Sequence, residues 1–398
     1  SQENAARILF LGVIGSFLLR AWGSNFGVSL FAYNRLDLQN LVNAVNIIVQ
    51  TSLIIILFKL DSPNLIYIGL AYIMGAITAL ILTIVLSHRI NPHLKVNIKD
   101  FRRSEVNEIT QMGGWVIINQ IGYLLFLQID LIVVNKLFGT VAGGEYSVVL
   151  TWSMMLRASS GMLTGVLTPV ILTYYAKGKI DELIIISKST VKLIGFAMAL
   201  PIGYICGFAS PLLSLWVGPE FAKLSLLMVL MLSHLIINLP VTPLFAINVA
   251  YNKVRIPGIV TFFMGIGNFL LAVMIPYFTG WNYYGVALAG AIVLTLKNAF
   301  FTPWYATKIL GISKTTFLNS MTPGVFAMII TAGISNMMAH YLNTSEFVSI
   351  VFCGLIITAV YICVVWESCL KQSERKIVES FIPLKIRNIL HSKAKCER

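Results

Sequence analysis

Long apolar runs separated by short polar breaks fill this sequence from end to end. An α-helix rises about 1.5 Å per residue, so about 20 mostly apolar residues cross the hydrocarbon of a bilayer. Eleven stretches meet that requirement: 6–33, 41–58, 65–87, 113–137, 145–175, 189–215, 222–250, 257–279, 283–306, 319–341 and 347–369. Most connections are short. The longest internal one, His88 to Met112, is polar and marks the boundary between two lobes. The pattern predicts an all-α polytopic membrane protein.

Composition points the same way. The 398 residues are 57% hydrophobic and 11% charged, where soluble domains carry about 25% charged residues. The five cysteines (Cys206, Cys353, Cys363, Cys369, Cys396) form no CxxC pair, and three lie in apolar runs. Neither a disulfide framework, a metal site nor a cofactor is expected from them, and nothing suggests a nucleic-acid partner.

Lys and Arg in the connections set orientation. One alternate set of connections, with the tail after Cys369, carries 22 of them and the opposite set only Arg7, Lys59 and Lys223. The bias predicts that the 89–112 loop and the C-terminus are cytoplasmic and that the residues before the first span face outward. In the tail, Val378, Phe381, Ile382, Ile386, Ile389 and Leu390 recur at helical spacing among basic residues, interrupted near Pro383. That segment reads either as a basic amphipathic element on the inner membrane surface or as a disordered positive tail.

An internal repeat is visible. Ala32-Tyr33-Asn34-Arg35 matches Ala250-Tyr251-Asn252-Lys253 at an offset of 218, and Tyr67-Ile68-Gly69-Leu70-Ala71 parallels Tyr283-Tyr284-Gly285-Val286-Ala287 at 216. Six spans separate the copies, so both keep the same orientation, as in a parallel repeat about an axis along the membrane normal. Spans four to six then have no counterparts within the chain. The repeat therefore predicts three further helices, about 105 residues, ahead of Ser1.

Candidate chemistry lies in the charges within spans. Arg20, Arg157 and Lys297 fall near mid-depth, as does His234 beside Asn238, Pro240 and Pro243. A midplane cation facing lipid costs at least about 2.5–3.5 kcal/mol, so such residues face a bundle interior or a watery cavity. Asp130 is the one carboxylate well inside a span, toward its outer end with Lys136 nearby. One carboxylate cannot neutralise three cations, and the surplus points to a hydrated cavity that receives an anion. Arginine suits phosphate because its planar fork holds two oxygens. Arg157, Arg20 and Lys297 are the candidate substrate-binding residues. Plainer readings stand beside this: backbone and hydroxyl partners for Arg157, snorkelling for Lys297, packing rather than a proton site for His234, and a structural rather than ion-coupling role for Asp130.

The pattern IDLIVVNKLFGTVAGGEYSV, followed by an apolar helix ending in TPVILTYY, resembles the polysaccharide transporter (Wzx-type flippase) branch of the multidrug/oligosaccharidyl-lipid/polysaccharide exporter superfamily. There it looks like the first helix pair of the C-terminal lobe. The resemblance implies a two-lobe, MATE-like bundle of fourteen helices. Residues 1–88 would finish the N-terminal lobe, with 89–112 as the cytoplasmic loop and 113–306 as the six-helix C-terminal lobe. Residues 307–370 would add two helices, and 371–398 the basic tail. It further implies a flippase for undecaprenyl-pyrophosphate-linked oligosaccharide in O-antigen, capsule or exopolysaccharide synthesis, in the bacterial inner membrane, acting with membrane lipids and other polysaccharide-assembly proteins. A drug exporter of the same superfamily is the nearest alternative, but its cavity should carry acids. A membrane polymerase or glycosyltransferase is disfavoured by the short outer connections. No paired carboxylates, HExxH, GxSxG or nucleotide fingerprint is present, so no catalytic residue is assigned.

Overall fold

The computed structural model describes residues 2–92, 102–341 and 347–381. Helix dominates, and no strand occurs among the described residues. The helices are α1 (Gln2–Ala32), α2 (Leu36–Leu60), α3 (Leu65–Ile90), α4 (Arg103–Leu127), α5 (Ile129–Ala176), α6 (Ile180–Gly207), α7 (Ala209–Trp216), α8 (Ser225–Ser233), α9 (Leu235–Asn238) and α10 (Phe245–Ala250). They continue with α11 (Arg255–Thr279), α12 (Asn282–Leu296), α13 (Thr302–Leu310), α14 (Thr316–Tyr341), α15 (Phe347–Val364) and α16 (Gln372–Phe381). Among the described residues, ten helical runs are long and apolar enough to cross a membrane. The chain is a polytopic, all-α membrane protein.

The run 103–176 counts as one of those ten, yet the sequence predicts two spans there. Gly139, at φ 85° and ψ 172°, breaks α5 between them. The sixth span differs from its expected limits of 189–215. Helix α6 begins at Ile180, because Asp181 and Glu182 suit the positive end of a helix dipole and Lys179 bridges Glu182 at 3.4 Å. It stops at Gly207, and α7 follows as a separate short helix. Lys188 and Lys192, expected in a connection, therefore ride on α6.

The chain divides into two compact units, Ser1–Arg103 and Ser104–Arg398. In the first, α1 and α3 meet backbone to backbone: a Cβ on Gly12 would stand 2.7 Å from Gly69 Cα. In the second, α6 crosses α14 as closely, since a Cβ on Gly203 would stand 2.7 Å from the Met328 carbonyl oxygen. The main core of this unit gathers Tyr146, Val149, Ile194, Leu213, Leu227, Met228 and Val286, all buried. Glu145 ties α5 to its neighbours, holding Lys223 at 2.5 Å and accepting from Tyr283 Oη at 2.8 Å.

The repeated YN-R/K turns fold alike. Asn34 and Asn252 both adopt the left-handed region, at φ 56° and 52°, which asparagine tolerates better than most residues. Arg35 N donates to Leu30 O at 2.8 Å, and Lys253 N donates to Asn248 O at 2.7 Å, the same five-residue closure.

Of the tail, α16 is helical to Phe381; residues 382–398 lie outside the described residues. Its Glu374 is buried and receives Lys192 Nζ of α6 at 2.7 Å, while the same Nζ donates to Cys369 O at 2.7 Å. The tail helix is thus moored to the bundle by an ion pair.

Candidate functional site

Two helix irregularities shape the site. The first follows Ser233. His234 interrupts the helix, α9 lasts one turn, and Pro240 and Pro243 pass the chain through a turn and a 3₁₀ segment, Thr242–Leu244, before α10. Proline removes a backbone donor, and the freed carbonyls persist in a membrane only beside a polar interior or cavity. The second is a π-helical turn, Lys297–Phe301, between α12 and α13. Such turns are rare and cluster at functional sites.

Between these irregularities lies a cavity of about 270 Å³ within the second unit. Asn119, Gln120 and Tyr123 line it from α4, and Arg157 from α5. The broken segment contributes Asn238, Thr242 and Asn248; the π turn contributes Lys297, Asn298 and Phe301; and Thr302 and Tyr305 come from α13. Two of the three expected cations, Arg157 and Lys297, thus share one chamber. Among the described residues neither belongs to an ion pair. Arg157 Nε donates to Ser153 Oγ, one turn earlier, at 3.3 Å. Asn248 Oδ1 is buried with no hydrogen-bond partner among the described residues.

The remaining expected residues sit elsewhere. Arg20 lines a separate cavity of about 210 Å³ within the first unit, with Ser24, Gln39, Asn43, Asn46 and Thr83. Its Nη2 reaches Ser16 Oγ at 3.5 Å, again four residues back. His234 does not line the chamber but hydrogen-bonds Asn238, which does. Asp130 is buried, and its partners differ from expectation. Asn268 Nδ2 of α11 donates to it at 3.0 Å and Tyr146 Oη reaches it at 3.5 Å, whereas Lys136 lies exposed.

Charge in an apolar run announced Arg157 and Lys297. Asn298, Thr302, Asn119 and Asn268 were missed, although amides within spans are themselves expensive and would have flagged three of the four. Gln120 and Tyr123 of α4 also line the chamber. Trp152 of α5 packs edge-on against Trp216 at 5.5 Å.

Comparison with known proteins places this architecture in context. Residues 16–175 match the family described as "Polysaccharide biosynthesis protein". The chain is 32% identical over 368 residues to the "Uncharacterized membrane protein EpsK" of Bacillus subtilis (strain 168), covering 92% of this chain and 73% of that protein. No solved structure matches.

Proposed function

The chain belongs to the polysaccharide biosynthesis protein family, and on that premise we propose that it is a flippase carrying a lipid-linked oligosaccharide across the cytoplasmic membrane for surface polysaccharide assembly. The observation that carries the reading is the chamber shared by Arg157 and Lys297. It offers two cations, neither held in an ion pair among the described residues, and a ring of amides and aromatics. A pyrophosphate fits the cations, and sugar hydroxyls fit the amides. In a membrane this desolvated positive charge is costly unless an anion arrives.

The substrate's lipid is a polyprenyl pyrophosphate of the undecaprenyl type. Its negative charge moves outward, and the membrane potential favours that by about 2.3 kcal/mol per charge per 100 mV. Arg20, in the first unit, is assigned to the same substrate. Asp130 is assigned either to ion coupling or to holding α5 against α11. Loops rich in Lys and Arg, with the C-terminus, face the cytoplasm. The protein works as a transporter rather than an enzyme, beside other membrane proteins of polysaccharide assembly. A drug exporter for cationic compounds suits this chamber poorly, because among the described residues no carboxylate lines it.

The test is in cells. Deleting the gene is expected to abolish surface polymer and to raise the lipid-linked repeat unit, quantified in membrane extracts. Full-length protein restores both. Arg157→Ala at equal membrane abundance does not, because a lost hydrogen bond to a charged group costs about 1.5–3 kcal/mol. Arg157→Lys restores part, since it keeps the charge without the fork. Unchanged surface polymer after deletion would overturn the assignment.

A further inference from the structure

The cavity lined by Arg20 is the repeat counterpart of the chamber. Eleven of its lining residues stand 218 positions before lining residues of the chamber, the offset that also relates the YN-R/K turns. Arg20 corresponds to Asn238, Ser24 to Thr242, Asn43 to Thr261 and Ala79 to Lys297. Asn119, Tyr123 and Arg157 of the chamber come from α4 and α5, spans without counterparts within the chain. The repeat therefore duplicates a pocket as well as a fold, once in each unit.

The two pockets differ in what they offer. Ala79 stands where the chamber has Lys297, so Arg20 is the one cation lining the first pocket among the described residues. Gly27 and Thr83 replace Phe245 and Phe301, which opens space: a Cβ on Gly27 would meet nothing within 4 Å. Gln39 and Asn43 replace Pro257 and Thr261, and Asn46 follows. Spacings of four and three put these amides on one face of α2. Asn46 is buried and accepts from Gln50 Nε2 at 3.0 Å. The side chains of Gln39 and Asn43 are open and make no hydrogen bond among the described residues. An amide left unpaired in a membrane span is costly. It both donates and accepts, as a hydroxyl does.

We propose that the cavity of the first unit is a glycan site: Gln39 and Asn43 pair with neighbouring hydroxyls of a sugar ring, and Arg20 donates to its oxygens. The space at Gly27 receives the ring. This site rests on the flippase reading above and deepens it. The chamber, with two cations, takes the pyrophosphate, and its repeat counterpart, with one cation and open amides, takes a sugar of the same substrate.

The test uses the full-length protein in lipid nanodiscs. It is titrated with undecaprenyl pyrophosphate and, separately, with the lipid-linked repeat unit extracted from the deletion strain. The double variant Gln39→Ala/Asn43→Ala is expected to weaken the glycolipid about tenfold, the scale of two hydrogen bonds. Undecaprenyl pyrophosphate, which has no sugar, is expected to bind it as it binds the wild type, which also shows that the variant is folded. A double variant that binds the glycolipid as tightly as the wild type overturns the glycan site. So does one that weakens both ligands alike, as amides that only hold α2 against a neighbouring helix would. If the wild-type protein binds neither ligand, the flippase reading falls and this site with it.

Discussion

Asp130 shows how a single residue can be legible in kind and not in partner. A carboxylate in an apolar run signals a buried polar contact, and the nearby Lys136 looked like its counterpart. The fold instead brings Asn268 to it from 138 residues away. Asn268 is fully buried, and its Oδ1 has no partner among the described residues. Asp130→Ala should therefore strip Asn268 of its remaining side-chain contact and destabilise the protein by about 1–3 kcal/mol, read as a lower melting temperature in detergent. Asp130→Asn should melt closer to the wild type. If that variant keeps its stability but loses the ion dependence of transport, coupling rather than packing is the role of the carboxylate. The cations of the chamber were legible for the same reason as Asp130, charge out of place. The hydrogen bond that Asn298 Nδ2 donates to Asn238 Oδ1 at 2.9 Å was not, because it depends on a π turn that leaves no mark in hydrophobic periodicity.

Among elements, the sequence marks small-residue pairs better than it ranks them. Gly23/Gly27, Gly161/Gly165 and Gly203/Gly207 share one spacing suited to close helix packing. Only the last pair lies at a tight crossing, where a Cβ on Gly207 would approach Ala332 O to 2.7 Å and collide with Ser335. At Gly161 and Gly165 nothing among the described residues comes within 4 Å. Gly207→Ala is expected to cost about 1–3 kcal/mol through overpacking, and Gly161→Ala nothing measurable, compared by thermal melting. Spacing is a local property, whereas the partner helix α14 enters more than 100 residues later. Pro240 and Pro243 do interrupt their helix, yet Pro201 lies inside an unbroken α6.

For the whole molecule, apolar run length was enough to give the class, because a bilayer leaves the backbone few alternatives to the helix. Run ends were less legible: amphipathic charge at the start of α6 reads as connection but folds as helix. Orientation rests on Lys and Arg placement alone and is open to direct measurement. In a background with the native cysteines replaced, Lys177→Cys should be shielded from a membrane-impermeant maleimide applied to intact cells, and Ser62→Cys should react. The reverse pattern would invert the orientation and put the moored tail helix outside.

The π turn at Lys297–Phe301 makes the chamber a matter of chain length as well as chemistry. There the backbone closes five residues back rather than four, with Thr302 N donating to Lys297 O, so the turn holds one more residue than a regular helix has room for. Loss of a single codon in that turn would return it to the ordinary pitch while leaving α12 and α13 in their seats. Lys297 and Asn298 would then swing relative to Asn238, and a sound membrane bundle would lose the geometry of the chamber proposed to hold the substrate. The shape of the chamber is thus separable from folding by one residue of length.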